Sequence, residues 1–106
     1  MIENEVVKGV KTLNKYLKTI NRTQAHRTFY TYTDIGLKNS NLDIKVSYLF
    51  ETRNRYPTLR FDLDDTKTKK TLYSILIKDF SDESIKFALA NVREYGRKFL
   101  CALDFE

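Results

Sequence analysis

The sequence predicts an α+β fold in which an N-terminal and a C-terminal helix flank a four-stranded antiparallel sheet, in the order α-β-β-β-β-α. Apolar residues recur every three or four positions at both ends of the chain, which is the spacing of amphipathic helices. Apolar and polar residues alternate in the middle of the chain, which is the spacing of half-buried strands. The length of 106 residues suits a single domain, residues 1–106, with one hydrophobic core.

The first helix is predicted over residues 2–22. Its acidic residues, Glu3 and Glu5, lie in the first turn, where the helix dipole favours negative charge. Its apolar positions share one side of the helix and are Ile2, Val6, Val10, Leu13, Leu17 and Ile20. We expect this side to pack on the sheet.

Four strands are predicted between the helices. Residues 28–33 are rich in aromatic residues and threonine, a composition typical of strands. Residues 42–50 place apolar side chains at every second position, and residues 59–64 repeat the alternation. A polar turn then leads to residues 72–77, which we interpret as the hairpin partner of the third strand.

The last helix is predicted to begin at Ser81, because a serine side chain caps the free N–H groups of a helix start. Phe80, just before it, is expected to pack on Ile85. The apolar face of this helix consists of Ile85, Ala88, Leu89, Val92, Tyr95, Phe99 and Leu103. Both helices are expected to cover the same face of the sheet.

The charge of the chain favours an anionic partner. It has 19 Lys and Arg against 14 Asp and Glu, a formal net charge of +5, and such an excess attracts nucleic acid or acidic protein surfaces. The single cysteine, Cys101, excludes an intramolecular disulfide and suits a reducing compartment. The sequence has no secretory signal and no apolar run of about 18 residues. We therefore expect a cytoplasmic protein with no membrane partner.

Five cations of the first helix recur three or four residues apart, and we call them the helix cation row: Lys8, Lys11, Lys15, Lys18 and Arg22. They fall within a sector of roughly 80° and extend over about 21 Å. Residues 6–33 contain no Asp or Glu, so nothing within the helix offsets their repulsion. A track that binds phosphates or an acidic partner is one interpretation, and a solubilising face is the other. Arg27 extends the same basic region.

Further cations lie around both ends of the third strand, and we call them the strand cation set: Arg53, Arg55, Arg60, Lys67, Lys69 and Lys70. Tyr56 lies among them, and a mixture of arginine and aromatic residues suits unpaired bases. Asp62, Asp64 and Asp65 occupy the same stretch and reduce its net positive charge. The second set is therefore a weaker candidate for binding a polyanion.

No catalytic constellation is recognisable. Asp62, Asp64 and Thr66 are similar to the DxDxT nucleophile motif of haloacid-dehalogenase-type phosphatases, but the residues after Thr66 supply only one strand and one helix of the many that this fold requires. We interpret the motif as a polar hairpin turn. His26 is the single histidine and has no zinc-ligand partners, and Cys101 has no histidine near it in sequence. We expect no enzymatic activity, metal or cofactor.

Residues 55–103 resemble the fourteen-kilodalton subunit of the signal recognition particle, and the matching text is RYPTLRFDLDDTKTKKTLYSILIKDFSDESIKFALANVREYGRKFL, residues 55–100. The resemblance rests on a strand with a Leu-Arg pair, a Lys-rich turn, a Ser/Thr-rich strand and a helix with an acidic start. That family binds the Alu domain of its RNA as one half of a heterodimer. The resemblance implies three strands rather than four, and RNA contacts from Arg60, Lys67, Lys69, Lys70, Arg53 and Arg55.

Two classes of function remain open. The first is a module that binds RNA or single-stranded DNA, alone or as a homo- or heterodimer with another small subunit. The second is a protein-binding module, such as a small phage or mobile-element inhibitor of a host nuclease. Reversing the charge of Lys11, Lys15 and Lys18 is expected to weaken nucleic-acid binding at least about tenfold in the first class.

Overall fold

The computed structural model of the chain describes residues 2–19, 26–33, 35–37, 41–50 and 58–104. The elements are α1 (Ile2–Thr19), β1 (His26–Tyr32), β2 (Leu42–Phe50), β3 (Thr58–Asp65), β4 (Lys70–Ile77) and α2 (Asp82–Asp104). The predicted α+β class and the order α-β-β-β-β-α are confirmed. Neither α1 nor α2 combines the length and the apolar character that a membrane crossing requires.

The four strands form one sheet in the order β1-β2-β3-β4, and every neighbouring pair is antiparallel. One row across the sheet joins Tyr30, Val46, Phe61 and Ile75. β1 begins two residues before its predicted start because His26 still pairs with Phe50. The sheet therefore has four strands, and the three-stranded alternative is wrong.

The core lies on one face of the sheet, beneath both helices. Every second side chain of β2 and β3 points into it, which is the reason for the alternation in their sequences. The buried apolar residues among those described are Val6, Val7, Val10 and Leu13 of α1, Ile35 between β1 and β2, Leu42, Ile44, Val46 and Tyr48 of β2, Leu59, Phe61 and Leu63 of β3, and Ile85, Ala88, Leu89 and Val92 of α2. α1 and α2 cover the same face, as predicted, and we call the opposite face the open sheet face.

α1 packs beside α2 through its N-terminal half. Glu3 forms an ion pair with Arg93 of α2, and both side chains are largely buried. The predicted apolar side of α1 is confirmed at Val6, Val10 and Leu13. Residues 20–25, which include the predicted last turn, lie outside the described residues.

The start of α2 is fixed by Ser81, as the sequence predicts. The backbone N–H of Ser84 donates to Ser81 Oγ at 3.3 Å, and that of Ile85 donates to the Ser81 carbonyl at 3.1 Å. Phe80 is half-buried against the core, and its ring centroid lies 5.7 Å from that of Tyr48. The cap and the aromatic contact together set where the helix begins.

The β3–β4 connection is the polar turn that the sequence predicts. Asp65 Oδ1 accepts a hydrogen bond from the backbone N–H of Lys67 at 2.9 Å. Thr66 donates its N–H and its hydroxyl to the carbonyl oxygen of Asn41, at 2.8 and 2.9 Å. Lys69 takes a left-handed conformation with a φ of 58°. Of the three residues that resemble a phosphatase motif, Thr66 caps a backbone group in this turn. Asp62 and Asp64 instead accept hydrogen bonds from side chains of β3 and β4.

Candidate nucleic-acid interface

The helix cation row is exposed wherever the structure describes its side chains, which is at Lys8, Lys11 and Lys15. Lys18 lies in α1 with an undescribed side chain, and Arg22 lies outside the described residues. The exposed lysines follow from the helical period, since Val6, Val10 and Leu13 turn the other side of α1 into the core. The described part of the row is therefore one basic surface.

One member of the row has a carboxylate partner. Lys11 Nζ lies 3.0 Å from Asp82 Oδ1, at the start of α2. The two side chains are 62% and 49% exposed, so solvent screens the pair and its contribution is at most about 1 kcal/mol. The sequence does not predict it because the partners lie far apart in the chain. Lys8 and Lys15 form no ion pair with any residue that the structure describes.

The described lysines of the strand cation set lie together at one end of β3. Lys67, Lys69 and Lys70 are exposed in or beside the turn that ends β3. This turn is about 23 Å by strand rise from Thr58, the first residue of β3. Arg53 and Arg55 lie outside the described residues.

Arg27 belongs to the Thr58 end of the sheet. It pairs with Leu49 of β2, and Leu49 in turn pairs with Thr58. The backbone of Arg27 is described within β1, and its side chain is not. Its strand position leaves it well separated from the turn lysines.

Arg60 is engaged within the open sheet face. Its Nε donates to Asp62 Oδ1 at 2.7 Å, and Ser74 Oγ donates to the same oxygen at 2.5 Å. Asp62 is only 2% exposed, and a buried carboxylate requires such partners. Arg60 therefore has a structural role in stabilising Asp62.

Carboxylates outnumber cations among the described side chains of the open sheet face. Asp43 and Asp64 are register neighbours on β2 and β3. Burial raises the pKa of Asp43 above its usual value, and the negative charge of Asp64 raises it further. With Asp62 they make three acidic groups against Lys45 and Arg60. The described side chains of this face therefore offer no excess of positive charge to a phosphate chain.

Among the side chains that the structure describes, two large apolar ones are exposed on the open sheet face. Phe29 of β1 is 54% exposed, and Leu76 of β4 is 61% exposed. Lys45 Nζ lies 5.4 Å from the centroid of the Phe29 ring, within reach of a cation–π contact. This combination of apolar and mixed charged groups is typical of a protein-contact surface rather than of a phosphate site.

A cleft of about 330 Å³ separates α1 from β1, at the edge of the sheet. Its lining residues are Glu5, Lys8, Gly9, Thr12, Tyr30 and Tyr32. Of these residues, only Lys8 is a binding residue predicted from the sequence. The spacing of Tyr30 and Tyr32 could have predicted that both lie on one face of β1, because residues two apart on a strand share a face.

The chain matches no known protein family, curated protein or solved structure. Within the described ranges, no group of three or more histidine, cysteine, aspartate or glutamate side chains is arranged to hold a metal ion. The resemblance to the signal recognition particle subunit therefore stays a prediction.

Proposed function

We propose that this chain is a non-catalytic protein that binds RNA or single-stranded DNA through the exposed lysines of α1. The observation that supports this most directly is the state of Lys8 and Lys15. Both are exposed, and neither is paired with a described carboxylate. Glu5 is the last acidic residue of α1, so no Asp or Glu lies between Lys8 and Lys15.

Electrostatics make an anionic chain the ligand that best fits this surface. Cations one helical turn apart repel each other, and a helix usually relieves this with interspersed carboxylates. A polyanion relieves it too, and it releases its own counterions when it binds. Phosphates can thus neutralise the exposed lysines of α1 with little rearrangement of the helix.

The sheet-centred arrangement implied by the resemblance is a less favourable route. It would use Arg60, which is bound to Asp62, on a face where acidic groups are in excess. Lys67, Lys69 and Lys70 remain available as a separate patch at the β3–β4 turn. In this arrangement, a second small subunit would have to pair with the chain for that patch to become part of one continuous RNA-binding surface. Such a dimer is a proposal as well.

Charge reversal tests the proposal. The double variant Lys8→Glu, Lys15→Glu is expected to bind a short labelled oligonucleotide at least about tenfold more weakly at roughly 0.1 M salt. The logarithm of its binding constant should also fall less steeply with the logarithm of salt concentration. Fluorescence anisotropy across a salt series measures both quantities.

The double variant Lys86→Glu, Lys98→Glu is the matched control. Both lysines are exposed on α2, so the change in net charge is the same. Binding close to that of the unmodified protein is expected. Equal losses in the two double variants would mean that net charge alone attracts the oligonucleotide, and no binding even at low salt would reject the function.

A protein partner is the second candidate, and the exposed Phe29 and Leu76 favour it. An inhibitor of a nuclease would use such a surface. The variant Phe29→Ser, Leu76→Ser separates the two functions. If capture of a protein partner survives nuclease treatment and is lost in this variant, while oligonucleotide binding is absent, the protein-binding function is correct.

A further inference from the structure

We infer that the cleft between α1 and β1 holds one unstacked base of the bound single strand. This inference rests on the proposed function, because the phosphates beside that base would lie on the α1 lysines. Its basis is the combination of two tyrosines, a lysine and hydrogen-bond acceptors around one opening. These are the groups that stack a base, neutralise its phosphate and contact its edge.

The absence of a side chain at Gly9 widens the cleft that it lines. A Cβ atom at Gly9 would lie 2.9 Å from the hydroxyl oxygen of Tyr32. The Tyr32 hydroxyl therefore lies close to the backbone of α1, and the missing methyl group keeps the space beside it open. A volume of about 330 Å³ is near the lower limit for small-molecule sites, which suits one base.

Tyr30 provides the stacking surface. It is 43% exposed and lines the cleft from the edge strand, so one side of its ring is available to a planar ligand. Burial raises the pKa of Tyr32, with Tyr30 and Glu5 adding to the effect. Tyr32 consequently remains a neutral hydrogen-bond donor throughout the physiological pH range.

Lys8 lines the cleft and also belongs to the helix cation row, so the two features are adjacent. Lys15 lies two turns further along α1, about 10 Å away by helical rise. A strand with one base in the cleft would therefore place its neighbouring phosphates over exposed lysines.

The polar lining favours bases that carry an amino group. Glu5 only accepts hydrogen bonds when ionised. The hydroxyl of Thr12 donates to the carbonyl oxygen of Lys8 at 2.9 Å, which leaves its lone pairs as acceptors. Two acceptors at one site fit the two N–H groups of the exocyclic amine of cytosine, adenine or guanine, whereas the edge of thymine or uracil offers only the single N3–H donor.

Comparison of normal and abasic oligonucleotides tests the inference. A short oligodeoxycytidine is expected to bind between about fivefold and a hundredfold more tightly than an abasic sugar–phosphate chain of equal length. Tyr30→Ala should remove most of this difference and leave the affinity for the abasic chain unchanged. Phe87→Ala, at an exposed aromatic of α2 that does not line the cleft, is the control and should change neither affinity.

Tyr30→Trp gives a second measurement, which does not require the fold to tolerate alanine at position 30. The chain contains no tryptophan, so the new indole would be its single fluorophore of that type. Oligodeoxycytidine should quench its emission, and the abasic chain should not. Oligocytidine and oligodeoxyuridine in parallel report the preference for ribose and for the amino group.

The outcomes distinguish the inference from the function on which it rests. Equal affinities for normal and abasic chains, with binding still sensitive to Lys8→Glu, would overturn the base site and retain the lysine surface. Absence of quenching in Tyr30→Trp while the oligonucleotide is bound would overturn it as well. If neither chain binds, both proposals are wrong.

Discussion

Asp79, just before α2, shows how one carboxylate can organise a helix start. It accepts hydrogen bonds from the backbone N–H of Ser81 at 3.0 Å, from the Ser81 hydroxyl at 3.0 Å and from the Ser84 hydroxyl at 2.7 Å. These bonds stabilise the ionised form, so the hydrogen bonds from Ser84 and Ser81 lower the pKa of Asp79. Asp79 thus holds the residue that caps the helix.

Asp79→Asn is expected to lower the melting temperature at neutral pH. Because the pKa of Asp79 is lower in the folded protein, its contribution to stability is full above the unfolded value of about 3.8 and disappears as the pH falls through the folded value. The melting curves of the two proteins should therefore converge at strongly acidic pH. Thermal melts followed by circular dichroism at pH values from about 7 to about 2 measure the difference in melting temperature between the two proteins.

Glu83→Gln is the control, since it removes one negative charge from the first turn of α2 without touching Ser81. A smaller loss of stability is expected from it. Equal losses in the two variants would show that charge near the helix start, rather than the hydrogen bonds of Asp79, sets the effect.

Sequence reasoning identified Ser81 but not its support by Asp79. A serine before an apolar-periodic segment is a local signal, and local signals can be read along the chain. Asp62 is a contrasting case. Asp62 and Arg60 share a face because they are two residues apart on β3. Asp62 also accepts a hydrogen bond from Ser74 of β4. The pattern of β3 alone cannot predict that bond, because the partner belongs to another strand.

The two helices each contain one glycine, and the surroundings of these glycines differ. A Cβ atom at Gly9 of α1 would meet only the hydroxyl group of Tyr32, whereas Gly96 of α2 is buried against Leu37, Leu42 and Leu63. Either glycine costs its helix roughly 1 kcal/mol relative to alanine. A methyl group therefore has fewer neighbours to displace at Gly9 than at Gly96.

Gly9→Ala is accordingly expected to raise the free energy of unfolding by about 0.5–1 kcal/mol. It should also weaken binding of oligodeoxycytidine, because the methyl group narrows the cleft. Gly96→Ala is expected to be less stable than Gly9→Ala by about 1–3 kcal/mol, since its methyl group overpacks the core. Urea denaturation of both variants measures the order, and a more stable Gly96→Ala would contradict it.

Elements were easier to predict than the site between them. The alternation in residues 42–50 and the helical period of α1 report directly which side of an element is buried. The cleft instead requires α1 and β1 to lie at a particular distance, and Lys11 meets Asp82 only because α1 and α2 are neighbours. Such juxtapositions are products of packing, which one-dimensional spacing does not encode.

At the scale of the whole molecule, a single core joins both helices to the sheet. Leu89 of α2 is fully buried within it, while Phe87, two residues earlier, is 66% exposed. Since the described elements share this one apolar cluster, no helix has a core of its own. Loss of packing at one place should therefore affect all of them together.

Leu89→Ala is expected to destabilise the protein by about 2–5 kcal/mol, a large part of the stability of a small domain. Helical and aromatic circular dichroism signals should be lost in one coincident transition. Phe87→Ala should change the unfolding free energy by less than about 0.5 kcal/mol. Separate transitions for the two signals would indicate that the helices and the sheet do not form one cooperative unit.

The two edge strands have a further consequence for the free protein. Among the described residues, β1 and β4 each have a strand neighbour on one side only, and β1, HRTFYTY, carries neither proline nor an acidic residue. An edge strand of this kind is a template for a second copy of the chain. The net charge of +5 keeps copies apart, and salt screens that repulsion. High ionic strength would thus promote self-association, and colloidal stability would depend on the same lysines that we propose as the polyanion-binding surface.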